Sequence, residues 1–64
     1  MRIDRHKYNV VTAMLDKRQK DIIAAGVPKG TLSGALMENR ISQRTADRIA
    51  AAIGCRTADI LKSE

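Results

Sequence analysis

Between two apolar stretches the chain reads Ile22-Ile23-Ala24-Ala25-Gly26-Val27-Pro28-Lys29-Gly30-Thr31-Leu32-Ser33. Gly26 is suited to the left-handed conformation that closes a helix, which other residues adopt only at a steric cost. Pro28 fits the start of the next helix, where a missing N–H is no loss. The segment therefore predicts a helix ending at Gly26, a sharp turn plugged by Val27, and a second helix over about 28–37. Two helices joined by a tight glycine turn constrain the rest of the chain, because each must bury one stripe against a small shared core.

That core has to be aliphatic. The 64 residues, read as one domain over 1–64, include one Tyr and no Phe or Trp. A chain of this length buries only about 60% of its unfolded surface. It has little room for a cofactor cavity or a shielded catalytic pocket, and a partner subunit is a reasonable source of further burial.

Helical periodicity runs throughout. Asp4 is a candidate cap for a first helix from about Arg5 to Leu15, with Tyr8, Val11, Met14 and Leu15 as its apolar stripe. Asp16, with Gln19 three residues on, predicts a capping box for a second helix whose inner face holds Gln19, Ile22 and Ile23. Leu32, Ala35 and Leu36 form the inner stripe of the third. Ser42 caps a fourth that buries Ala46, Ile49, Ala50 and Ile53 and stops at Gly54. Thr57 caps a short fifth in which Ile60 and Leu61 face inward. The pattern contains no strand, repeat or linker. The expected architecture is all-α, a compact bundle of five short helices.

The formal charge is +5. Positive excess attracts polyanions through counterion release, although solubility alone can account for it. Cys55 is the single cysteine and has no internal disulfide partner. It reads as a reduced, partly buried thiol in a cytoplasmic protein. The start of the chain is too polar for a signal peptide, and Ala50-Ala51-Ala52-Ile53 is too short to span a bilayer. His6 has no second ligand at metal spacing. The Ser and Cys residues lack a His/Asp set, so no catalytic residue, metal site or cofactor is expected.

In order and spacing, Ala25-Gly26-Val27-Pro28-Lys29-Gly30-Thr31-Leu32-Ser33, then Ala46-Asp47-Arg48-Ile49-Ala50-Ala51-Ala52-Ile53-Gly54-Cys55, then Asp59-Ile60-Leu61 resemble the Cro/CI-type (lambda-repressor-like, XRE) helix-turn-helix family. The match covers nearly the whole chain. It departs at Ile22, where a small residue is usual, and in the shortened link from Met14 to Gln19. The resemblance implies a five-helix lambda-repressor-like DNA-binding domain, with the third helix in the major groove of double-stranded DNA. It also implies a bacterial or phage transcriptional regulator, acting as a homodimer on two half-sites, with Ala51, Ala52, Arg56, Ile60 and Leu61 near the dimer surface.

With Leu32, Ala35 and Leu36 inside, helical geometry sends Gly30, Ser33, Gly34 and Met37 outward, flanked by Lys29 and Thr31. These six are the candidate base readers. Lys29 suits guanine O6/N7, Thr31 and Ser33 suit a base or a phosphate, and Met37 suits a thymine methyl. Gly30 and Gly34 each cost a helix interior about 1 kcal/mol relative to Ala. A bare face for close approach to DNA is one use for them. Tight packing of a partner protein is another, which makes a protein-interaction module of antirepressor or antitoxin-like type the rival reading. The candidate phosphate contacts are Arg18, Gln19, Lys20, Asn39, Arg40, Gln43 and Arg44, amide and cationic side chains on segments that flank the groove in the resembled family. Arg2, Arg5 and Lys7 read equally as a basic arm or a disordered end.

Overall fold

The computed structural model describes residues 1–63. Four α-helices follow one another: α1 (Arg5–Met14), α2 (Gln19–Ala24), α3 (Lys29–Leu36) and α4 (Gln43–Ile53). A single 3₁₀ turn, Thr57–Asp59, comes last. The expected fifth α-helix is therefore corrected to one turn, leaving an all-α domain of four helices. The reason lies on both sides of the turn. Asp59 Oδ2 accepts the Arg56 N–H at 3.0 Å and closes it, and the chain then leaves in extended form. Asp4 N–H donates to the Ile60 carbonyl at 2.8 Å and Lys62 N–H to the Arg2 carbonyl at 2.9 Å. Extended pairing with residues 2–4 consumes the backbone groups a fifth helix would need.

That pairing also corrects the reading of the N-terminus. Residues 1–4 are neither a free basic arm nor a loose end. Ile3 bridges Leu61 in antiparallel fashion and is fully buried. The Met1 carbonyl accepts the Ile41 N–H at 2.7 Å, so the first residue also braces the loop between α3 and α4.

The core draws on every helix. Ile3, Tyr8, Ile22, Val27, Leu32, Leu36, Ile49, Ile53 and Ile60 are its large buried members, and Val11, Ile23, Ile41 and Cys55 pack against it half-buried. The stripes of α3 and α4 lie where their spacing predicts them. In α1 the buried line runs from Tyr8 to Thr12 instead. Thr12 is tolerated there because its hydroxyl donates to the Tyr8 carbonyl at 2.8 Å. Met14 and Leu15, expected inside, are exposed. The helix stops at Met14, and Asp16 takes a left-handed φ of 53° that turns the chain away.

The start of α2 differs too. Asp16 does not cap it. Arg18 is the capping position, and Asp21 Oδ2 accepts its N–H at 2.9 Å. Gln19 is the first helical residue and is exposed, not on the inner face. Gly26 (φ 111°) and Gly54 (φ 94°) both occupy the left-handed positions that end α2 and α4. Among the described residues no helix is long and apolar enough to cross a membrane.

Candidate nucleic-acid interface

Pro28 holds φ −58° and ψ 141° as the capping residue of α3, and its carbonyl accepts the Leu32 N–H at 3.0 Å. The helix therefore begins at Lys29 and ends at Leu36, one residue shorter at each end than its expected span. Leu32, Ala35 and Leu36 are buried, which fixes the rotation of the helix about its axis. With those three inside, Lys29, Gly30, Thr31, Ser33 and Met37 are all exposed and Gly34 is half-buried. Among the described residues none covers the outer face of α3 beyond the partial burial at Gly34.

This face has little internal business. The side chains of Lys29, Thr31 and Ser33 make no hydrogen bond or ion pair among the described residues. A Cβ added at Gly30 would meet nothing within 4 Å. One at Gly34 would meet only Asn39 Nδ2 at 3.6 Å, an ordinary contact. Nothing inside the protein thus requires glycine at either position, although both weaken the helix.

The flanking candidates divide into two groups by position. Arg18, Gln19 and Lys20 are exposed at the start of α2, and Asn39, Arg40, Gln43 and Arg44 are exposed across the α3–α4 loop and the first turn of α4. Arg40 and Arg44 carry no ion pair among the described residues. Gln43 is partly engaged, since its Nε2 donates to Asp47 Oδ1 at 2.9 Å. Ser42 Oγ accepts the Thr45 N–H at 3.2 Å and caps α4.

Two acidic groups near these segments are held in the ionised form by local partners, Glu38 by a cation and Asp47 by neutral donors. The Lys62 ammonium donates to Glu38 Oε1 at 2.9 Å and holds that carboxyl below the usual carboxylate range. Thr57 Oγ1, at 2.7 Å, and Gln43 do the same for Asp47 by hydrogen bonding. Glu38 itself has a left-handed φ of 63°, where the chain turns out of α3.

Arg48, not named as a contact from sequence, and Arg5, read there as part of a basic arm or a disordered end, both belong to this region. Arg48 on α4 lines a shallow groove with Val27, Pro28, Thr31 and Thr45, which places an exposed cation beside the first turn of α3. Its spacing of four from Arg44 puts both on one side of α4, a signal the sequence did contain. Arg5 acts at the other end of α3, where its Nη1 donates to the Leu36 carbonyl at 3.2 Å. Nothing local in sequence links residues so far apart. Among the described residues no group of His, Cys, Asp and Glu side chains is placed to hold a metal ion.

Of the residues the resemblance places near a dimer surface, Ile60 is fully buried and belongs to the core. Leu61 is half-buried beside Ile3, and Ala51 and Arg56 are exposed. No family model, curated protein or solved structure matches this chain.

Proposed function

We propose that this chain is a sequence-specific regulator of transcription that binds double-stranded DNA, related to the Cro/CI-type helix-turn-helix proteins. In this reading α3 enters the major groove. Lys29, Thr31, Ser33 and Met37 meet base edges, and Gly30 and Gly34 let the backbone approach closely. Arg18, Gln19, Lys20, Asn39, Arg40, Gln43 and Arg44 grip phosphates on either side, and Arg48 adds a cation beside the start of the helix. Two copies engage two half-sites about one helical turn apart.

The observation that carries the reading is the outer face of α3. Apart from half-buried Gly34 it is exposed, and among the described residues its polar side chains have no partner and no contact requires its two glycines. Few long side chains project from it, so part of the specificity resides in DNA shape.

Selection of bound duplexes from a random pool tests the proposal. The expected result is an enriched motif that outlasts random duplex as salt rises. For six to ten phosphate contacts, affinity falls by about 10³–10⁵ between 50 and 200 mM salt. No enrichment over nonspecific competitor overturns the reading and leaves the α3 face as a protein-docking surface.

A further inference from the structure

From Lys29 to Ala46 the chain carries three cations, Lys29, Arg40 and Arg44, and a single acid, Glu38. Glu38 stands between Met37, on the outer face of α3, and the loop residues Asn39 and Arg40. Its left-handed φ of 63° is uncommon for a residue other than glycine. Residues two apart are separated by at most about 7 Å of backbone, well within the combined reach of a glutamate and an arginine side chain. Glu38 is therefore the acidic residue placed by sequence to compete with a phosphate for Arg40.

Glu38 is engaged elsewhere. Lys62 Nζ donates to its Oε1 at 2.9 Å, joining residues 24 apart in sequence. Among the described residues this is the one ion pair between distant segments, since Arg56 and Asp59 pair within a single turn. The extended pairing with residues 2–4 delivers Lys62 to this place. Its N–H donates to the Arg2 carbonyl at 2.9 Å, next to the Ile3–Leu61 bridge. The Lys7 ammonium donates to the Leu61 carbonyl at 3.0 Å. The backbone of the 60–62 segment is thus anchored independently of the Lys62 side chain.

We infer that Lys62 is a positioning residue for DNA binding: it occupies the Glu38 carboxylate and so leaves Arg40 free to take a phosphate. Without Lys62, Glu38 turns to Arg40 and removes one cation from the flank of α3. Lys62 acts through Glu38 and does not itself touch the duplex.

Exposure separates this role from a structural one. The Lys62 and Glu38 side chains are 43% and 40% exposed, and an exposed pair adds little to stability. Its consequence is the choice of partner it leaves to others. Arg40 is exposed and has no ion pair among the described residues. The inference deepens the DNA reading, on which it rests, by naming a residue outside the four helices that tunes the interface.

Fluorescence anisotropy of the full chain on a random-sequence duplex, from about 50 mM salt upward, tests it. Lys62→Met is expected to weaken binding roughly three- to tenfold at the lowest salt, with the loss shrinking as salt rises. Lys62→Arg restores the wild-type affinity. In a Glu38→Gln background Lys62→Met costs less than about twofold, because no carboxylate remains to capture Arg40. Arg56→Met, which removes the same charge from the local pair, also costs less than about twofold. Equal losses from Lys62→Met with Glu38 and with Gln at that position overturn the inference, since Lys62 then acts by its own charge. No loss in either background overturns it as well, as does a Lys62→Met chain without a cooperative melt, because the residue is then structural. A wild-type chain that binds no duplex removes the DNA reading and this inference together. Wild-type binding that is indifferent to Lys62 removes this inference alone.

Discussion

The Arg5 guanidinium donates to the Leu36 carbonyl oxygen at 3.2 Å, joining the first turn of α1 to the last turn of α3. Leu36 is the final residue of α3, so this carbonyl is one of the groups a helix end leaves without an intrahelical partner. A cation is favoured there by the helix dipole as well. The same side chain donates to Asn9 Oδ1 at 3.2 Å and lies 5.9 Å from the centre of the Tyr8 ring. Arg5 thereby fixes the far end of the helix whose near end is set by Pro28.

Arg5→Ala is expected to lower stability by about 1 kcal/mol, the usual net worth of a partly exposed hydrogen bond with some packing. In a domain of this size that lowers the melting temperature by roughly 4–8 °C. Circular dichroism melts provide the check, and an unchanged midpoint would show that the bond does not brace α3.

Gly30→Ala and Gly34→Ala separate folding from binding. Neither methyl group meets an obstacle inside the protein. Each substitution should raise stability by about 0.5–1 kcal/mol while weakening binding to a selected duplex. Melts and binding titrations on the same samples reveal the opposition. Gains in stability with affinity untouched would mean the bare face does not approach DNA.

Leu32→Ala removes a side chain that is almost completely buried. A loss of about 2–5 kcal/mol is expected, which a domain this small tolerates poorly. Met37→Ala, at a position 74% exposed, should stay within about 0.5 kcal/mol of the wild type. Denaturant titration distinguishes them, and equal effects would mean that α3 is rotated differently about its axis.

Much of this arrangement was readable from residue order alone, for reasons that differ by element. The stripes Leu32-Ala35-Leu36 and Ala46-Ile49-Ala50-Ile53 follow helical spacing and bury as spacing demands. Gly26 and Gly54 mark helix ends because few other residues accept positive φ cheaply. Tyr8 is buried as its stripe predicts, but Thr12 was harder, since a polar residue took the next inner position through a bond to its own helix. The fifth helix failed for a non-local reason: residues 60–62 pair with residues 2–4, at the opposite end of the chain. The roles of Arg5 and the Met1–Ile41 pairing are likewise invisible to any short window. Solvent-facing candidates such as Lys29 and Arg44 followed from the inner stripes, because the outer face of a helix is whatever the inner one leaves.

Acid should destabilise the fold in part through Asp47 and Glu38. Hydrogen bonds from Thr57 and Gln43 lower the Asp47 pKa, and Lys62 lowers that of Glu38. A group whose folded pKa lies below its unfolded value stabilises the fold above the unfolded value and loses that contribution as pH falls through the folded one. The loss should therefore begin near about pH 4 and continue below it. Asp47→Asn should flatten the stability curve over that interval. A curve as steep as that of the wild type would mean these hydrogen bonds add nothing to folding.

The central claim is that the outer face of α3 distinguishes one base sequence from another. Equilibrium binding of Lys29→Ala and Thr31→Ala to a selected duplex and to a scrambled one tests it most directly. If these side chains read bases, each substitution weakens the selected duplex roughly 5- to 150-fold, about 1–3 kcal/mol, and barely changes the scrambled one. Equal losses on both duplexes, or none on either, would contradict it.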